Sequence, residues 1–325
     1  MRILVTGAGG FVGHHLLPEL AGAGHEVVAV SHVPWTPPIP VATGVFDIRD
    51  PVRVAAVVAE HAPEGVIHLA ALASPQKSWD AAQETFEVNV IGTSHLLGAL
   101  ASRPGTRFLV VGSAQEYGAA HLDRPLLETD PLRPASPYAV SKVAQELLAF
   151  AYGERHGLPV VVARSFNHTG PGQTTDYAVG AFAAQVAAIE RGDQPPRMTV
   201  GWLESRRDFL DVRDVCRAYR LLVEAGEPGE VYNVASGRAE RIGDLLAILL
   251  EAAGLSGVVE VHSAAAPRPG DPATLLGDAT KLRQGLGWEP EIPMATSVAD
   301  TLDSHRDPGG PSGRRPAPET TRRAM

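Results

Sequence analysis

The chain has 325 residues, a formal net charge of −9 and 44% hydrophobic residues. That length holds one large or two small domains with ample core, and an acidic chain with no basic stripe argues against nucleic acid as a partner. Its one cysteine, Cys216, excludes an internal disulfide and fits a reducing cytoplasm; no Cys/His cluster has metal spacing, and no apolar run is long enough for a membrane span.

In chain order, Ile3, Leu4 and Val5 predict a buried parallel strand over Arg2–Thr6. It begins almost at once, without a leader pattern, so a cytoplasmic location is expected. Gly7, Gly10 and Gly13 follow at three-residue spacing, then a helix over Phe11–Ala23 with Pro18 as an expected kink, then a strand over Glu26–Val30. A glycine turn between strand and helix permits close approach of a pyrophosphate to the positive helix end. Further strands are predicted at Val45–Asp47, Gly65–Leu69, Thr106–Ser113 and Pro159–Ser165. Helices are predicted at Pro51–Glu60, Ala81–Ala101 and Tyr138–His156. This alternation predicts an α/β fold, a doubly wound parallel sheet of the Rossmann type, with ligands beyond the carboxyl ends of the strands. Thr6, Asp47, Leu69, Ser113 and Arg164 occupy such ends.

The second half is less regular. Helices are predicted at Thr175–Arg191, Arg213–Ala225 and Ile242–Ala253, a strand at Val231–Val234 and an extended stretch at Val258–His262. Residues 1–165 and 206–236 are assigned to a dinucleotide-binding domain, and 166–205 and 237–303 to a smaller α/β substrate domain. Residues 304–325, rich in Pro, Gly and Arg, are assigned to a disordered tail. Cys216 shares a helical stripe with Val212, Val215 and Tyr219, which makes it a core thiol.

Tyr138 and Lys142 lie four residues apart in SPYAVSK, on one helix face. A phenol exchanges a proton at neutral pH when its pKa is drawn below about 10, and a neighbouring ammonium does that. Ser113, at a strand end, supplies a hydroxyl to hold a carbonyl oxygen. The trio fits hydride transfer at a carbon–oxygen bond. The alternative, an incidental Tyr and Lys on a surface helix, loses weight beside the glycine turn. After the second strand come Ser31, His32 and Val33, with no carboxylate for a ribose 2′-hydroxyl. That favours NADP(H), with NAD(H) open, and puts Ser31 and His32 near the phosphate unless they merely cap the strand.

TGAGGFVG, HLAA at His68–Ala71, the Ser113 segment and YAVSK occur in the order of the extended short-chain dehydrogenases/reductases, which the chain resembles over roughly residues 1–300. SFNHTGPGQ, ESRRDFLDVRDV and EVYNVASG resemble the branch acting on nucleotide-linked sugars, nearest the GDP-4-dehydro-6-deoxymannose reductases, neighbours of the GDP-mannose 4,6-dehydratases. The resemblance implies Tyr138 as proton donor, Lys142 on the nicotinamide ribose and Ser113 on the substrate oxygen. It implies Gly7, Gly10, Phe11, Val12 and Gly13 at the pyrophosphate, Asp47 and Ile48 at the adenine, and Leu69, Ala70 and Ala71 at the nicotinamide ribose. Asn89 is expected near the site, bonded to backbone. Asp50, ahead of Pro51, is read as a helix cap.

For the substrate the candidates are Ser113, Gln115, Asn167, Arg207, Arg268 and Asp271, with a structural Arg207–Asp208 pair as the alternative for Arg207. Trp202 replaces an expected asparagine. Dehydratases of this branch carry an acid and a base just after the Ser/Thr, where this chain has Ala114 and Gln115, with Glu116 one place off. That favours a reductase over a 4,6-dehydratase, with an epimerase using the same trio and a non-catalytic nucleotide-binding relative as further alternatives. The resemblance also implies a homodimer joined through the helices near Ala81–Ala101 and Tyr138–His156.

Overall fold

In the computed structural model, residues 1–118, 124–266 and 272–307 are described. Six strands appear in the first half: β1 (Arg2–Thr6), β2 (Glu26–Ser31), β3 (Ala42–Val45), β4 (Gly65–His68), β5 (Arg107–Ser113) and β6 (Val160–Ser165). Between them run α1 (Phe11–Gly22), α2 (Pro51–His61), α3 (Ala82–Phe86), α4 (Gly92–Leu100) and α5 (Pro137–His156). The second half has β7 (Asn167–Thr169), α6 (Ala178–Glu190), β8 (Arg197–Val200), β9 (Arg206–Asp211), α7 (Val212–Ala225) and β10 (Val231–Val234). It continues with β11 (Ala239–Arg241), α8 (Ile242–Ala252), β12 (Glu260–Ser263), β13 (Thr274–Leu275), α9 (Thr280–Leu286) and α10 (Met294–Arg306).

The main sheet has seven strands in the order β10-β6-β5-β4-β1-β2-β3, and every pair is parallel. Strand order reverses between β1 and β4, which opens a crevice at their carboxyl ends. Successive side chains of β1 serve opposite faces. Ile3 and Val5 join Leu16, Leu17, Leu20, Val215 and Leu222 of α1 and α7. Leu4 joins Val54, Val58, Leu96 and Leu100 of α2 and α4. Each fully buried side chain of this size stabilises the fold by about 1.5–3 kcal/mol.

Local chemistry sets the helix limits. Asp50 caps α2, accepting from the Val52 and Arg53 amides at 3.0 and 3.1 Å, with Pro51 in the first turn. Pro18 lies on the exposed side of α1, and the helix continues past it to Gly22. The helix expected over Ala81–Ala101 is instead split by a π-helical turn at Glu87–Ile91. That wider turn holds Asn89, whose Oδ1 accepts from the Leu72 amide at 2.8 Å and whose Nδ2 donates to Ser141 Oγ at 2.9 Å.

A second, smaller set of sheets follows. β9 pairs with β7, β11 and β13, and β8 pairs with β12. A third apolar cluster fills the space between α6, α8 and α10, around Phe182, Val186, Leu245, Leu249, Val298 and Leu302. β9 therefore belongs to the smaller sheets, and the chain rejoins the main sheet through α7 and β10. Residues 304–306, assigned to the tail, instead belong to α10, which runs to Arg306, and buried Ser304 accepts from the Gly172 amide at 3.0 Å. Residues 308–325 lie outside the described residues.

Candidate active site

A cleft of about 1940 Å³ opens at the carboxyl ends of β1, β2, β4, β5 and β6 and is closed on its far side by residues of the smaller sheets. Its floor at the first turn has no room for side chains. Gly7 has φ +70, and a Cβ there would stand 2.6 Å from the Ala70 amide nitrogen. A Cβ on Gly13 would run into the Ala8 carbonyl. Gly10 gives α1 no side-chain cap. Gly10, Phe11, Val12 and Gly13 line the cleft, so the uncapped start of α1 faces it. An anion fits there, because the first-turn amides of a helix have no partner within the helix.

Ser31 closes β2 as a buried residue, with His32 exposed beside it, and both line the cleft. Trp35 packs against His14 with ring centroids 5.6 Å apart. Asp47 is engaged: Arg49 donates to it through Nε at 3.0 Å and Nη2 at 2.6 Å, which holds its carboxyl below the usual range. An adenine contact at Asp47 thus shares the carboxylate with Arg49. Ile48, Leu69, Ala70 and Ala71 line the same wall. Asn89 is fully buried and sits behind this wall, bonded to Leu72.

Ser136 caps α5, accepting from the Ala139 amide at 3.2 Å, and Pro137 occupies its first turn. This presents Tyr138 to the cleft at the helix start. Lys142 and Gln145 follow on the same side. Burial pushes the Tyr138 phenol above its ordinary value, while its hydrogen bond with the Ser113 side chain pulls the other way. The expected lowering by Lys142 is therefore not what the protein groups produce here. Lys142 Nζ lies 6.0 Å from the Tyr138 ring centroid and donates to the Val111 carbonyl at 2.8 Å and to Gln145 Oε1 at 3.0 Å. Burial brings its pKa down to about 8.

Behind Lys142 a chain of hydrogen bonds runs from α5 through α4 to the ends of β4 and β1, on one face of the sheet. Gln145 Nε2 donates to Thr93 Oγ1 at 2.8 Å, and Thr93 Oγ1 donates to the Asn89 carbonyl at 2.5 Å. Thr93 Oγ1 has then used its one proton, so His68 Nε2, 2.9 Å away, is the donor to it. His68 Nδ1 in turn accepts from Thr6 Oγ1 at 2.6 Å. Burial lowers the His68 pKa to about 3, so the ring is neutral. Gln145 and Thr93 had not been singled out in the sequence. The signal was there for Gln145, three residues after Lys142 on one helix face.

On the substrate side, Gln115, Asn167, Trp202 and Arg207 all line the cleft. Arg207 Nη1 donates to the Arg206 and Ala273 carbonyls at 2.8 and 3.3 Å. Asp208 points to the opposite face of β9, accepting from the Ser236 and Gly237 amides at 2.7 and 3.0 Å. Arg268 and Asp271 lie outside the described residues. Arg164, expected at a ligand-facing strand end, is instead buried beneath the site with Glu146 and Glu116. Among the described residues no cluster of three His, Cys, Asp or Glu is arranged to hold a metal, and no helix is long and apolar enough to cross a membrane.

The chain is 37% identical over 305 residues to GDP-6-deoxy-D-mannose reductase of Pseudomonas aeruginosa, covering 93% of this chain and 96% of the relative. It is 31% identical to dTDP-glucose 4,6-dehydratase of Streptomyces niveus, covering 94% and 93%. Among solved structures it resembles RMD from Pseudomonas aeruginosa complexed with NADPH, with a TM-score of 0.84 and 35% identity over 94% of this chain and 99% of that one. It also resembles a Thermus thermophilus UDP-glucose 4-epimerase in complex with NAD, with a TM-score of 0.85 and 32% identity over 94% and 99%. With residues 4–301 matching its family description, the chain belongs to the GDP-mannose 4,6 dehydratase family.

Proposed function

We propose that this protein is an NAD(P)H-dependent reductase of a nucleotide-linked 4-keto-6-deoxy sugar, of the GDP-4-keto-6-deoxymannose type. The observation that carries the reading is the hydroxyl pair of Tyr138 and Ser113 at the cleft, backed by Lys142. Beside Ser113 the wall is Ala114 and Gln115, neither of which can serve as acid or base, and Glu116 is fully buried. A 4,6-dehydration needs a further acid and base at that place.

When bound, the nicotinamide supplies the hydride. The start of α1 and Gly7, Gly10 and Gly13 seat the pyrophosphate. Ser113 holds the keto oxygen, and Tyr138, which keeps its proton because it is buried, donates it to that oxygen. Lys142 then stabilises the tyrosinate that remains. Asn167 and Arg207 contact the sugar nucleotide. NADP(H) is favoured by Ser31 and His32 and by the NADPH complex of the relative, and the ratio of kcat/KM for NADPH and NADH tests it. A homodimer is supported by exposed apolar side chains on or beside α3, α4 and α5: Trp79, Phe86, Ile91, Val140 and Leu147. A wild-type mass of one chain in sedimentation equilibrium removes that part.

The test of the reaction mixes protein, NADPH and GDP-4-keto-6-deoxymannose and follows nicotinamide absorbance, with NMR of the product. One cofactor oxidised per new C4 hydroxyl supports the reading. Epimerised sugar with no net oxidation replaces it with the epimerase.

A further inference from the structure

Beneath the catalytic trio lies a dry cluster of charge for which the reaction has no direct use. Glu116, Glu146 and Arg164 are 0%, 3% and 4% exposed. Arg164 donates to Glu146 through Nε at 3.0 Å and Nη2 at 2.6 Å, and through Nη1 to Tyr117 Oη at 3.1 Å. Glu116 reaches back to its own turn, where Oε1 accepts the Ser113 amide at 2.6 Å. Its Oε2 is 3.5 Å from Arg164 Nε and has no hydrogen-bond partner among the described residues. Glu146 stands on α5 one turn beyond Lys142 and two beyond Tyr138.

The cluster holds two buried carboxylates for one guanidinium, whose two-bond partner is Glu146. The Lys142 ammonium gives its hydrogen bonds to the Val111 carbonyl and Gln145 rather than to Glu116, so a bare Glu116 carboxylate would lack a bonded cation. The groups facing Glu116 are Glu146 and Lys142 from α5, Arg164 from β6, Tyr138 at the start of α5 and Ser113 on its own turn. Burial and the nearby Glu146 both push the Glu116 carboxyl well above the usual range.

We propose that Glu116 is a positioning residue: it shares a proton with Glu146 over Arg164 and so ties the Ser113 turn to the helix that carries Tyr138 and Lys142. Kept neutral, it fixes the Ser113 backbone without placing a negative charge under Tyr138, where it would oppose formation of the tyrosinate. The functional part rests on the reductase reading; the structural part does not.

Three variants test it: Glu116→Gln, Glu116→Ala and Glu146→Gln. In Glu116→Gln the amide keeps the Ser113 bond and a donor toward Glu146, so kcat stays within about threefold of wild type. In Glu116→Ala the Ser113 turn is released, and kcat falls about tenfold or more while KM and cofactor affinity hold. Two readouts are independent of turnover. The Ser113 amide proton should resonate downfield in wild type and Glu116→Gln and move upfield in Glu116→Ala. An infrared carboxylic-acid band present at neutral pH should vanish in Glu116→Gln. It should also vanish in Glu146→Gln, where Arg164 is left to Glu116. A folded Glu116→Gln that loses more than about a hundredfold in kcat would make Glu116 an acid or base and overturn the proposal. So would an unmoved Ser113 amide in Glu116→Ala, or the absence of the acid band in wild type. If wild-type protein oxidises no NADPH with the 4-keto sugar, the reductase reading fails, and the amide shift and acid band still decide the strut.

Discussion

Lys142 does not aim at the Tyr138 phenol: its Nζ is 6.0 Å from the ring centroid, and its donors go to the Val111 carbonyl at 2.8 Å and Gln145 Oε1 at 3.0 Å. In the proposed reaction the two side chains would divide the work in time: buried Tyr138 would hold its proton until transfer, and the fixed ammonium would stabilise the charge after the proton has left.

Tyr138→Phe removes that proton and little else. Turnover should fall by about 10²–10⁴-fold, while NADPH affinity, read by fluorescence titration, stays within a few-fold of wild type. Near-normal turnover would take Tyr138 out of the chemistry.

Lys142 sets an alkaline limit. With a pKa of about 8 it is mostly charged at pH 7 and loses its proton just above. The rate of reduction should fall as pH rises through about 8. Gln145 Oε1 accepts more strongly from the charged ammonium than from the neutral amine, so Gln145→Leu lowers the lysine pKa further and moves the falling limb to lower pH. An unmoved limb would assign it to another group.

His68 links stability to acid. Its folded pKa is about 3 against an ordinary value of 6.5, so below 6.5 the unfolded chain takes up a proton that the folded chain refuses. Stability is full above 6.5 and is lost as pH falls toward about 3, at a limiting rate of about 1.4 kcal/mol per pH unit. Denaturant unfolding at stepped pH should show this slope in wild type and a shallower one in His68→Gln. Equal slopes would exclude His68 as its source.

Gly7→Ala strains the phosphate turn from two directions, through its φ of +70 and through the Ala70 backbone 2.6 Å from the new Cβ. The expected cost is about 1–3 kcal/mol, seen as a lower melting temperature together with weaker cofactor binding. Unchanged affinity would mean that the turn is not the seat of the pyrophosphate.

The main sheet was readable, β3 apart, because its other strands are short apolar runs next to a glycine or polar turn and the helices between them keep one apolar stripe. The strand expected at Val45–Asp47 lies instead at Ala42–Val45, a mostly exposed edge with no apolar run to mark it. Ser113, Tyr138 and Lys142 stood out from their spacing taken together with the glycine turn and the family resemblance, and all three line the cleft. The partners of those residues did not stand out. Gln145, Thr93 and His68 meet on one face of the sheet, from α5, α4 and β4, and no local pattern records such a meeting. Arg164 misled in the same way. Its position at the end of β6 promised a ligand contact, yet Glu146 from α5 draws it under the site. In the second half, β7, β11 and β13 are two or three residues long and pair with distant segments, so their periodicity is too short to detect.

The pairing of β10 with β6 has a consequence for how the chain is made. Between these neighbours in the sheet lie β7, α6, β8, β9 and α7. The edge of β6 thus stays open during synthesis until the whole inserted stretch has emerged and returned. Loop closure over such a length is slow relative to local pairing. A nascent chain halted before Val231 would expose the backbone of β6, whose residues are all buried in the finished protein, and would be prone to pair with other chains.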